Sequence, residues 1–179
     1  MKKRGIEYYV KSQAGIPLIL NSYEDIFSGF DPRPYSEKAL SGDFLLECKK
    51  ASAEKKGRIK LRFFVPKNKR KPEDEIKIKK RLKEHFMKHY IEKKKEITKL
   101  KSMGLFWIVL GSMMMVSSVF LSKMQTSFTI SLLLTLVQPA GWFFLWEGMG
   151  KILLDPKSKK PDYDFYKKMA GADISFAGI

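Results

Sequence analysis

Met103 to Leu121 reads MGLFWIVLGSMMMVSSVFL, and Phe128 to Trp146 reads FTISLLLTLVQPAGWFFLW. Each run has 19 residues and no formal charge. At 1.5 Å of rise per residue, a helix of that length nearly matches a hydrocarbon core of about 30 Å. Two such runs, back to back in a chain with 30% charged residues, predict two transmembrane helices. Ser122 to Ser127 between them is too short to do more than turn the chain back, so the pair is expected to form a hairpin. Pro139 inside the second run is compatible with this, because neighbouring helices in a membrane can re-satisfy the carbonyl it frees.

The flanks set the orientation. Lys93, Lys94, Lys95, Lys99 and Lys101 precede the first run; Lys151, Lys157, Lys159 and Lys160 follow the second. The loop between offers Lys123. Lysine and arginine stay on the cytoplasmic side, so both termini are expected in the cytoplasm and the hairpin in the inner (plasma) membrane. Phe106 and Trp107, with Trp142, Phe143, Phe144 and Trp146, then fall at one boundary, as an aromatic belt does.

Outward from the hairpin the chain becomes basic. It holds 35 Lys+Arg against 19 Asp+Glu, a net +16. Residues 55–101 alone hold 20 against 6. Pro72 followed by Glu73, Asp74 and Glu75 reads as a helix start, with acids at the positive end of the dipole. Ile78, Leu82, Phe86, Tyr90, Ile97 and Leu100 recur at helical spacing, and no Gly or Pro interrupts before Gly104. One helix of about fifty residues, roughly 75 Å, is expected to run into the first span.

Residues 1–70 read as a small mixed α/β cytoplasmic unit. Ile6–Val10 and Ile59–Val65 have strand composition, and Pro17–Leu20 suits an edge strand. Ser41 is placed to cap a helix reaching about Glu54. Gly29 to Pro34 forms a stiff turn, since each proline fixes its own φ and restrains its predecessor. The expected organisation is this unit at 1–70, a basic amphipathic helix at 71–102, the transmembrane hairpin at 103–146 and a cytoplasmic tail at 147–179. The fold class is a membrane α-helical one.

Chemistry-bearing patterns are few. Cys48, the single cysteine, suits a buried apolar position. His85 and His89 share a helix face, but without the acid of a zinc-protease signature they read as interfacial. No Gly-rich phosphate loop, nucleophilic triad or paired acids occur in the sequence. An enzyme, a metal and a cofactor are not expected. An anionic partner is: lipid headgroups, a nucleotide or an oligonucleotide. Candidate contacts are Arg33, Arg58, Lys60, Arg62, Lys67, Lys69 and Arg70. Arg33 has a second reading, as a tie to Asp31 or Asp43. Tyr8, Tyr9, Phe63 and Phe64 suit either the core or base stacking.

Within the apolar runs two patterns stand out. Gly104, Gly111 and Ser118 step by seven, a small-residue stripe for close helix packing. Ser131, Thr135, Gln138 and Trp142 step by four, three and four along one face of the second run, as a mildly polar pore lining with an aromatic gate would. These favour a homo-oligomeric pore under a basic sensor. A membrane-anchored docking or scaffold protein is the alternative.

Two blocks carry a resemblance. One is Phe30-Asp31-Pro32-Arg33-Pro34-Tyr35-Ser36 with Leu40 to Leu45 after it. The other is Gly141-Trp142-Phe143-Phe144-Leu145-Trp146-Glu147 with Leu153 to Pro156 behind it. With the basic helix and hairpin, they resemble small two-span proteins of bacteria. The layout resembles the membrane effectors of Hailong-type antiphage defence, which implies an oligomeric channel whose cytoplasmic part senses a nucleotide or oligonucleotide.

Overall fold

The computed structural model describes residues 15–55, 57, 59–123 and 127–179. The chain is mostly helical. Its elements are β1 (Ile16–Ile19), α1 (Gly42–Ala53), β2 (Lys60–Val65), α2 (Pro72–Ser122), α3 (Phe128–Leu153), α4 (Asp155–Ala170) and β3 (Asp173–Gly178). It divides into two compact units. One contains residues up to Ile91 and again from Asp164; the other is Glu92–Tyr163. The chain therefore leaves the first unit along α2 and re-enters it along α4, and both crossings are helical.

In the first unit the strands form one parallel sheet in the order β1-β2-β3. Period-two alternation sorts β2 into two faces. Leu61, Phe63 and Val65 are fully buried, while Lys60 is exposed and Arg62 half-buried. The buried face meets Phe44 and Cys48 of α1, Ile78, Leu82 and Phe86 of α2, and Phe165 and Met169 of α4 in one core. The i, i+4, i+8 spacing of the three α2 residues is why one stripe of that helix is apolar. Burying each such side chain contributes about 1.5–3 kcal/mol.

The strand expected at Pro17–Leu20 is β1, at an edge among the described strands, and the one at Ile59–Val65 is β2. The one expected at Ile6–Val10 lies outside the described residues. Ser41 occupies the cap position of α1, and its carbonyl accepts the first helical bond from Leu45 N at 3.1 Å, but its hydroxyl makes no cap bond. α2 begins at Pro72 and is unbroken to Ser122.

Residues 147–179 were expected as a tail, and the structure differs there. α3 continues to Leu153, α4 follows, and β3 completes the sheet against β2. A six-residue strand has little local signal of its own; Ile174 and Phe176 are held by pairing with Leu61 and Phe63, more than a hundred residues earlier.

In the second unit, α2 and α3 are each long and apolar enough to cross a membrane. In the most apolar window of each, 17% and 11% of the residues are buried. Large side chains such as Phe106, Met113, Phe120, Leu136, Phe143 and Trp146 are exposed. A water-soluble core helix would hide them.

Candidate functional site

The hairpin seam is built from small residues on both helices. Gly104, Gly111 and Ser118 of α2 are buried, and so are Leu134, Gly141 and Gly148 of α3. Both sets step by seven, in opposite chain directions. A Cβ added at Gly111 would lie 2.7 Å from the Gly141 carbonyl oxygen, and one at Gly148 would lie 2.6 Å from that of Gly104. Backbone thus packs on backbone, and Trp107 stacks on Phe144 at 4.9 Å alongside. A seven-residue repeat implies a left-handed crossing. The stripe legible in α2 therefore finds its partner within the same chain.

The polar face of α3 lies off this seam. Thr135, Gln138 and Trp142 are exposed and Ser131 is half-buried. At 3.6 residues per turn the four fall within an arc of about 60°. The hydroxyls turn back on their own helix: Thr135 Oγ1 donates to the Ser131 carbonyl at 2.9 Å, and Ser131 Oγ donates to the Ser127 carbonyl at 3.4 Å. Gln138 differs. Among the described residues, no group hydrogen-bonds its amide. Pro139 follows inside the helix and has no N–H, so the Thr135 carbonyl on the same face also loses its helical donor. Trp142, one turn further on, is 54% exposed.

The basic candidates of the first unit separate into groups. Arg33 is tied to Asp31: its Nε and Nη2 donate to the carboxylate at 2.9 and 2.7 Å. With the Ala39 amide also donating, these bonds hold the Asp31 carboxyl far below the usual range. Arg70 grips the buried Glu75 through Nε and Nη2 at 2.8 and 3.0 Å. Lys69 Nζ donates to the Asn21 carbonyl at 3.1 Å, and Lys67 N donates to the Ile179 carbonyl at 3.2 Å. Because the strands are parallel, Lys67 and Lys69 meet the exits of β1 and β3 at one edge of the sheet. Lys60 sits at the opposite end of β2, and Arg62 on its outer face. Arg58, Tyr8 and Tyr9 lie outside the described residues. Phe63 is a core residue, 0% exposed, and Phe64, on the other face of β2, is also buried, 6% exposed.

Cys48 is buried, and desolvation pushes its thiol up to about 12. The rings of His85 and His89 are 4.4 Å apart, and His89 lies 5.2 Å from the Tyr166 ring of α4, so the pair packs between helices. Among the described residues no third His, Cys, Asp or Glu joins them to make a metal-holding group.

Sequence reasoning missed three features. Gly141 and Gly148 had the same seven-step signal as their partners. Lys168 Nζ donates to the carbonyls of Ser52 and Lys55 and so caps the end of α1. Tyr23 OH donates to Glu75 and accepts from the Lys71 amide, joining the exit of β1 to the start of α2. Neither of the last two has a local signature.

No protein-family model matches the chain, and no curated protein or solved structure is significantly similar to it.

Proposed function

We propose that copies of this chain assemble into a membrane pore lined by α3, which a basic cytoplasmic unit controls in response to an anionic ligand. The carrying observation is the exposed Gln138 amide beside the freed Thr135 carbonyl, in a helix long and apolar enough to cross a membrane. Leaving an amide unpaired in hydrocarbon costs about 2–7 kcal/mol. The face should therefore meet water or other copies of itself. Trp142 would close the lumen near its cytoplasmic mouth by dewetting. Lys67 and Lys69 sit at the carboxyl ends of parallel strands, where open sheets commonly bind ligands, and they favour a nucleotide or oligonucleotide. The resemblance of the layout favours a role in bacterial antiphage defence. One observation favours the alternative, an anchored scaffold without a pore: the small-residue seam is fully used within a single hairpin.

Planar bilayers decide between them. Purified full-length protein should conduct when a short oligonucleotide is added on the side of the basic unit. That effect should weaken steeply with salt, as phosphate contacts do. Trp142→Ala should raise the unliganded current about tenfold, and Gln138→Leu should lower the open current. A protein that conducts under none of these conditions is the scaffold.

Orientation is tested independently. The buried Cys48 leaves a silent background for labelling with a membrane-impermeant maleimide. In intact cells Gln125→Cys should label and Lys157→Cys should not. The reverse pattern would put the basic unit outside and remove the cytoplasmic-sensor reading.

A further inference from the structure

Phe30 is 100% exposed at the tip of a loop that is otherwise clamped. The Asp31 carboxylate accepts from Arg33 N, Nε and Nη2 and from Ala39 N. Ser28 N donates to the Ala39 carbonyl at 2.8 Å and Ser41 N to the Ile26 carbonyl at 2.9 Å, closing the base of the loop. Tyr35 stacks on Phe27 at 5.3 Å beneath it. Arg81 Nε of α2 donates to the Lys38 carbonyl at 3.0 Å and fastens the loop to the unit. Pro32 and Pro34 add stiffness. A large aromatic is thus held out in solvent with its ordering entropy already spent, which is how an interface anchor is arranged.

Charge identifies the occupant. Residues 21–47 carry six acids and two bases, while the chain as a whole is +16. Arg33 pairs with Asp31 and Lys38 with Glu24, which leaves Asp25, Glu37, Asp43 and Glu47 as the acidic excess of the segment. Glu37 and Asp43 are exposed on the same segment. Residues 60–71 carry six bases and no acid, and of these Arg70 is held by Glu75 and Lys69 by the Asn21 carbonyl. On the outer face of the sheet, Arg62 lies near Ile19, which is 56% exposed although apolar. One chain therefore presents an acidic aromatic knob and, elsewhere, a basic surface with an exposed apolar residue. Two copies cannot satisfy this by placing like patches together; each knob has to meet the other patch of its neighbour. Repeated head to tail rather than exchanged about a two-fold axis, such a contact builds a ring where its rotation closes and a filament where it does not.

We infer that the Phe30 loop is the subunit contact of the cytoplasmic unit, docking head-to-tail on the outer face of β1 and β2 of a second copy, with Phe30 against Ile19 and the Arg62 guanidinium, and leaving Lys67 and Lys69 at the strand exits to the ligand. The inference rests on the oligomer reading above and deepens it by naming the interface.

The test uses the full chain in detergent, with sedimentation velocity as the readout. Phe30→Ala removes a side chain that touches nothing in its own subunit, so it should fold normally. It should weaken association about thirtyfold, the size of an interface hot spot. High salt should act in the same direction. In a Cys48→Ser background, co-expressed Phe30→Cys and Ile19→Cys chains should form a disulfide dimer that neither variant forms alone. A wild-type protein that is monomeric in detergent and in nanodiscs ends both this inference and the oligomer reading. A wild-type oligomer that Phe30→Ala leaves intact ends this inference alone. In that case, protection of Phe30→Cys from maleimide in lipid but not in detergent would assign the loop to the bilayer surface, and protection only with a cell extract would assign it to another protein.

Discussion

Gly111→Ala should destabilise the hairpin by about 3 kcal/mol, while Gly150→Ala, the same chemical change in α3, should be neutral or stabilise it by roughly 0.5–1 kcal/mol. The difference lies in what the new methyl meets. At Gly111 it would stand 2.7 Å from the Gly141 oxygen and 2.8 Å from Leu145 N, which are backbone atoms that cannot rotate away. At Gly150 nothing lies within 4 Å, so the gain is the lower conformational freedom of alanine in the unfolded chain. The helices at Gly111 can relieve the clash only by separating, and that forfeits van der Waals contact along the whole seam. In a membrane this contact is most of what holds two helices together. Trp107, stacked on Phe144, reports the separation by fluorescence as dodecyl sulfate is titrated into maltoside micelles. Equal midpoints for Gly111→Ala and wild type would mean that the seam lies elsewhere.

What the sequence disclosed follows from how local each signal is. Uncharged runs, a proline-led helix start and the i, i+4 stripe of Ile78, Leu82 and Phe86 are each written in consecutive residues. They place α2 and α3 without any knowledge of partners. β2 was legible because Lys60 to Phe63 alternates basic and apolar and the run through Val65 is rich in aromatic and β-branched residues. β3 was not, because Asp173 to Gly178 becomes a strand only by pairing with β2, and that partner lies on the far side of the whole hairpin. The topology explains this distance. The crossover from β2 to β3 is opened by α2, closed by α4, and carries the apolar hairpin between them.

The candidate site was legible to the same extent. Period alone identified the polar face of α3 and the small stripe of α2, but not that the stripe's mate is Gly141 and Gly148 of the same chain. Composition identified a basic surface, but which bases are free depends on acids distant in sequence or hidden by turns. Arg70 is paired with an acid five residues on, and Arg33 with one two residues back, bent round by a proline. Among the described residues, Lys60, Arg62 and Lys67 make no side-chain ion pair.

Glu75→Ala should cost the cytoplasmic unit about 2–3 kcal/mol, a large share of what so small a core supplies. Glu75 is 6% exposed, and its carboxylate accepts three bonds, from Tyr23 OH at 3.0 Å and from Arg70 Nε and Nη2 at 2.8 and 3.0 Å. Removing it strands a buried hydroxyl and the Arg70 head. Since the Arg70 side chain is 34% exposed and water can reach it, the cost stays below that of a fully buried broken pair. Chiefly because Arg70 donates to it, the Glu75 carboxyl titrates below its ordinary value of 4.5. A carboxyl with a depressed folded pKa stabilises the fold fully above the unfolded value, and that contribution is lost as pH falls through the folded one. Wild-type protein should therefore lose hydrogen-exchange protection in residues 16–26 and 60–70 as pH drops from 5 to about 3, after correction for intrinsic rates. Glu75→Gln cannot titrate at that position and should start lower and fall less over that range, Glu24 and Asp31 keeping a residual dependence. A variant as steep as wild type would mean that another acid sets the dependence. The same bonds fix where α2 begins, because Tyr23 ties the exit of β1 to both Glu75 and Lys71 N. α2 runs unbroken from there to Ser122, so under the pore proposal a pH or mutation that frees its first turn should also uncouple ligand binding from current in the bilayer assay.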